Sequence, residues 1–212
     1  MMRKRIISVI LTIAMMSSIC CVTSSAYAEV SDMDQIGYLI DEEGNIQEVH
    51  AEIVDAPMLL NAATDEYQVT YEYAIAATDY ALEANPNGYG ISVFLTIRYR
   101  QRNTPAEVLL TSVSGEWEIT DSRCSVTESN LHYGCSGVST SVQNGYCAVN
   151  NGFLKNTGFS EYALKSDDVL VGSSVGAYIC FKLMMGASRQ YTFVAPNYLC
   201  GGLEDDFSCP IC

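Results

Sequence analysis

Ile91, Val93, Leu95, Ile97 and Tyr99 alternate with Ser92, Phe94, Thr96, Arg98 and Arg100, and this constrains the chain more than any other feature. Successive side chains of a strand point to opposite faces, whereas a helix would scatter these five apolar residues around its axis. A strand with one apolar face needs a second apolar surface to cover it, so a layered β fold follows. Tyr67, Val69, Tyr71, Tyr73 and Ile75 repeat the period, and Asn85-Pro86-Asn87-Gly88 supplies a turn between the two runs. The alanine-rich stretch 74–84 is also compatible with the start of a helix, so the end of that strand stays open. Pro105 bars a simple continuation of the second strand. Further strand-like runs lie at 107–113, 116–121, 123–129, 146–149, 169–173, 176–185 and 190–195. Short strands, frequent turns and few helical periods predict an all-β chain, specifically a two-sheet antiparallel β-sandwich, immunoglobulin-like or similar, over residues 66–200.

The first residues read as an address. Arg3, Lys4 and Arg5 precede an apolar run at 6–16, and the polar stretch that follows ends in Ala26-Tyr27-Ala28. Basic residues, a short apolar run and small residues at −3 and −1 make a secretory signal peptide over residues 1–28. The apolar run is too short to span a bilayer. A lipoprotein anchored at Cys20 or Cys21 is the rival reading, but Ser17-Ser18-Ile19 lacks the usual lead for such processing. The expectation is a chain that starts at Glu29, is exported and released, and has no membrane span.

Charge is divided unevenly. The whole chain carries 25 Asp and Glu against 11 Lys and Arg, a net of −14. After leader removal eight basic and 25 acidic residues remain, a net of −17. Residues 29–97 hold fourteen acids and not one Lys or Arg. Such a balance excludes nucleic acid as a partner, since phosphate backbones need clustered cations, and it disfavours anionic lipid. Residues 29–65 read as an acidic extended segment or a hairpin, with possible strands at 36–40 and 46–54 about the turn Asp41-Glu42-Glu43-Gly44-Asn45. Clustered carboxylates suit calcium, but the spacing of a calcium loop is missing.

Gly115-Glu116-Trp117-Glu118-Ile119, then Leu131-His132-Tyr133-Gly134, then Asn156-Thr157-Gly158-Phe159 with Tyr162, form a pattern. It resembles that of uncharacterised small secreted proteins of Gram-positive gut bacteria. The resemblance covers residues 90–200 and implies a β-sandwich and export. It brings no catalytic residues.

Seven cysteines follow the leader: Cys124, Cys135, Cys147, Cys180, Cys200, Cys209 and Cys212. Export favours disulfides, with three bridges and one thiol left over for a covalent dimer. Cys124 with Cys147 or Cys135 is the preferred staple, and Cys200 with a terminal cysteine. Cys209-Pro210-Ile211-Cys212 has redox spacing, yet no helix can follow to depress the thiol pKa, so a tail staple is favoured. His132 with Cys135 and Cys209 with Cys212 are the only short pairs for zinc, and nothing aligns them. Hydrolysis lacks a nucleophile elbow and has only His50 and His132 as imidazole bases. A glycosidase pair could be nominated anywhere among so many acids, so its nomination carries no weight.

Arg98, Arg100 and Arg102 share one strand face. They could grip an anionic ligand such as an acidic glycan, or pair with the acid-rich first third of the chain. Trp117 and the fourteen tyrosines read mainly as core, not as a sugar platform. The expectation is therefore a secreted non-enzymatic binding or interaction module for a protein or glycan at the cell surface, without cofactor, metal or catalytic residues. The alternatives are an extracellular enzyme, either thiol-dependent or a hydrolase, and a structural protein cross-linked through its odd cysteine.

Overall fold

The computed structural model describes residues 34–76, 89–103, 106–137, 140–165, 173–186 and 188–201. The proposed leader and the Cys209/Cys212 tail lie outside them. Eleven strands form, and no helix is present among the described residues: β1 (Ile36–Asp41), β2 (Ile46–Asn61), β3 (Glu66–Ala76), β4 (Tyr89–Asn103), β5 (Ala106–Ile119), β6 (Cys124–Gly137), β7 (Thr140–Ala148), β8 (Phe153–Asn156), β9 (Ala163–Leu164), β10 (Ser174–Met185) and β11 (Arg189–Cys200).

The strands join in one antiparallel path, β7-β6-β10-β11-β1-β2-β3-β4-β5-β8, with β9 added to β5. Two separate sheets were expected, but the ladder is continuous and curls into a half-barrel. β2 is the joint, because it pairs with β1 through residues 46–50 and with β3 through residues 51–61. The hairpin expected at 36–54 therefore forms, and it is no appendage. β1 lies between β11 and β2, with Tyr38 opposite Val194 on one side and Glu48 on the other. A domain boundary at residue 65 would cut through this sheet.

Curling brings the apolar faces of the two halves together. Ile91, Val93, Leu95 and Ile97 are 0–1% exposed, as the period of two requires, and they share one core cluster with Phe181 and Phe193 of the other half. Trp117 meets Phe181 edge-on with ring centroids 5.0 Å apart, and Tyr73 meets Phe193 in the same manner at 5.8 Å. Polar clamps cross the same core. The Tyr73 hydroxyl donates to the Pro196 carbonyl, and the Asn197 amide donates to the carbonyls of Val69 (3.3 Å) and Leu95 (2.8 Å).

The two ends of the path are tied by side chains. Gln143 of β7 accepts from the N–H groups of Ser160 and Glu161 and donates to the Glu161 carbonyl. Ser141 donates twice to the Glu161 carboxylate. Asn151 imitates a strand on the free stretch of β5, accepting from the Trp117 N–H and donating to its carbonyl, both at 2.8 Å. These amides satisfy backbone groups that would otherwise form a sticky edge. Among the described residues no helix is long and apolar enough to cross a membrane.

Candidate functional site

On β6, Leu131, Tyr133 and Cys135 are buried in the core, so His132, Gly134 and Ser136 face outward. Residues directly opposite one another in a ladder share a face. Register therefore places Tyr146, His132 and Tyr178 in one outward row across β7, β6 and β10. The adjacent row runs Asn144, Gly134, Gly176, Tyr198 across β7, β6, β10 and β11. Two neighbouring glycines beside a row of rings leave a trough of about 460 Å³ on the outer face. That volume lies within the range of small-molecule sites.

The ring wall is ordered. His132 stacks on Tyr178 with centroids 4.5 Å apart and planes 6° from parallel, and Tyr146 leans on its other side at 4.5 Å and 52°. The Tyr146 hydroxyl donates to Asn130 Oδ1 at 3.1 Å, which sets the ring while leaving Tyr146 48% exposed. Burial among these rings pushes the His132 pKa below its ordinary 6.5, so the imidazole is neutral at pH 7. Ser136 and Ser174, opposite one another, border the other side. Tyr198 closes the end. Its backbone is held by Gln35, which accepts from the N–H (3.1 Å) and donates to the carbonyl (3.2 Å). Burial raises the Tyr198 phenol well above its ordinary value, so it remains a neutral hydroxyl.

The two floor glycines have different reasons. A Cβ on Gly176 would lie 2.3 Å from the Asn197 carbonyl oxygen and 2.6 Å from Tyr198 Cα, so packing forbids any side chain there. A Cβ on Gly134 would meet nothing nearer than the Gln143 carbonyl oxygen at 3.6 Å, an ordinary contact. Packing does not require glycine at 134, yet its absence of side chain keeps the trough open. Among the described residues that line it there is no Asp, Glu, Lys or Arg.

Of the residues singled out from sequence, His132 lies in the trough, whereas the arginine stripe and the described cysteines fall elsewhere. Arg98, Arg100 and Arg102 do share the outer face of β4, but the stripe is turned toward its own neighbours. Arg98 Nε donates to Gln68 Oε1 at 2.9 Å. Arg102 pairs with Glu107 at 3.5 Å and lies over the Tyr162 ring at 3.7 Å. Arg100 stands opposite Glu66, and its Nε is buried without a hydrogen-bond partner among the described residues.

Among the described residues no disulfide joins any two of Cys124, Cys135, Cys147, Cys180 and Cys200. Cys124 and Cys135 occupy opposite ends of β6, roughly 35 Å apart at about 3.3 Å per residue. Cys147 stands opposite Leu131, between them, and reaches neither. Cys135 and Cys200 flank Val175 from two sides, which separates their Cα atoms by two strand spacings, roughly 9–10 Å. A bridge needs less than about 7 Å. Cys180 faces the opposite side of the sheet, beside Val194 and Tyr178. Burial pushes the Cys124 and Cys135 thiols above their ordinary pKa, the reverse of what a thiolate nucleophile needs. His132 and Cys135 point to opposite faces, and among the described residues no three His, Cys, Asp or Glu gather to hold a metal.

Sequence reading missed Gly134, Gly176, Tyr146, Tyr178 and Tyr198 as a group. Each is unremarkable alone, and only the register of four strands assembles them. No family, curated protein or solved structure matches the chain.

Proposed function

We propose that the chain is an exported, non-enzymatic binding module that holds a neutral glycan in the outer-face trough, with the curled sheet acting as a sandwich-type scaffold. The observation that carries this reading is the absence of formal charge among the described residues that line the trough, in a chain whose net charge is −14. An acidic ligand would find no cation there and would be repelled by the molecule as a whole. A cationic ligand would find no carboxylate. What the trough offers is aromatic surface along one side and hydroxyl and amide groups from Ser136, Ser174 and Asn144 around it. That combination suits a ring with apolar faces and a hydroxylated rim.

Export supports the reading, because the leader-like residues 1–28 would deliver the module to a medium where glycans are exposed. The test is titration calorimetry of the secreted chain against neutral, uronate-bearing and sulfated oligosaccharides. Binding confined to neutral ligands, insensitive to salt and lost in Tyr146→Ala, is expected. Preference for the anionic ligands, or undiminished binding in Tyr146→Ala, would return the Arg98/Arg100/Arg102 stripe to consideration. Release of shortened sugar products would make the module an enzyme.

A further inference from the structure

β2 is covered on both edges only in part. Its β1-side edge is bonded as far as Ala51, whose N–H donates to the Gln35 carbonyl at 3.0 Å. From residue 52 to 61 that edge has no strand partner among the described residues. Ile53, Val54, Met58, Leu59 and Leu60 are 39–51% exposed along this same stretch. Large apolar side chains grouped on an open edge mark an interaction surface more often than scattered exposed ones do.

Charge tells what can cover it. Glu52 stands opposite Glu72, and neither these two nor Glu48 nor Asp55 makes an ion pair among the described residues. Residues 29–97 contain no Lys or Arg that could compensate them. We propose that the 52–61 edge docks an extended segment of a partner protein in which Lys or Arg alternates with apolar side chains. Backbone pairing would extend the sheet by one strand, apolar side chains would cover the exposed ones, and the partner's cations would answer the uncompensated carboxylates. A second copy of this chain fits poorly, because it would set Glu52 and Asp55 against their own kind. Pro57 and the register shifts between β2 and β3 at 53/55, 55/58 and 59/61 distort the edge, which discourages indiscriminate pairing and leaves recognition to a matched segment.

The probe is a fluorescent nine-residue peptide alternating Lys and Val, compared with one of the same charge carrying a central proline and with a Glu/Val version. Anisotropy and hydrogen exchange are read on the full secreted chain. The Lys/Val peptide should bind, protect amides within 52–61, and weaken as salt rises. Affinity should fall roughly tenfold for the proline peptide and for the exposed-site variant Leu59→Lys, and the Glu/Val peptide should not bind. Gly134→Ala should leave this binding unchanged, which separates it from the trough. Equal binding of the Lys/Val and proline peptides would show mere electrostatic adsorption and overturn the proposal. Protection outside 52–61, or a concentration-dependent dimer of the free chain abolished by Leu59→Lys, would overturn it equally.

Discussion

Gly134 and Gly176 sit side by side in one row of the sheet, yet substitution should separate their roles. Gly176→Ala forces a Cβ into backbone atoms of β11, and we expect a loss of about 1–3 kcal/mol in urea unfolding. Gly134→Ala meets only an ordinary contact, so its unfolding midpoint should stay within about 0.5 kcal/mol of the parent while glycan binding falls. His132 adds a pH dependence of known sign. Its folded pKa lies below the ordinary 6.5, so the unfolded chain takes up the proton first. The stability it contributes is complete above pH 6.5 and is lost as pH falls through the lower folded value. Melting temperatures measured from pH 7.5 to 5 should therefore decline less steeply in His132→Phe than in the parent.

At the scale of strands, Trp117 reports on the contact between the halves. It is the only tryptophan, it belongs to β5, and its ring meets Phe181 of β10. Phe181→Ala should cost about 3–5 kcal/mol by leaving a cavity at that junction, read as a red-shifted emission and an earlier denaturant midpoint. The strands around Tyr73 and Leu95 were legible from sequence because one buried and one exposed face impose a period of two. Other strands were read too short or in pieces. Residues 107–113 and 116–121 looked like two runs because Ser114-Gly115 resembles a break, but β5 continues through them. Gly115 lies under the Phe153 ring, where a Cβ would come within 2.7 Å. β2 runs to Asn61, past the expected end at 54, since its outer stretch is exposed on both faces and shows no alternation. Cys124 and Cys135 looked like a staple because they are near in sequence, but extension along β6 carries them apart. The trough was illegible for the complementary reason: its residues are far apart in sequence, and pairing brings them together.

For the molecule as a whole, charge and topology act separately. A net charge of −14 destabilises the compact state through self-repulsion, so melting temperature should rise between low and moderate sodium chloride while affinity for a neutral glycan stays flat. Topology governs time. β2, β3, β4 and β5 pair in sequence order, each with the strand just made, and local pairings of that kind form early. β1 is synthesised before all of them but stands beside β11, so Tyr38 waits for Val194, near the other end of the described chain. Until β11 emerges, neither β1 nor β10 has its shared neighbour, and the trough has no Tyr198 to close it. The sheet is thus completed at its middle by β11, the last of the described strands in sequence, and a chain still being made holds two separate groups of strands and an unfinished trough.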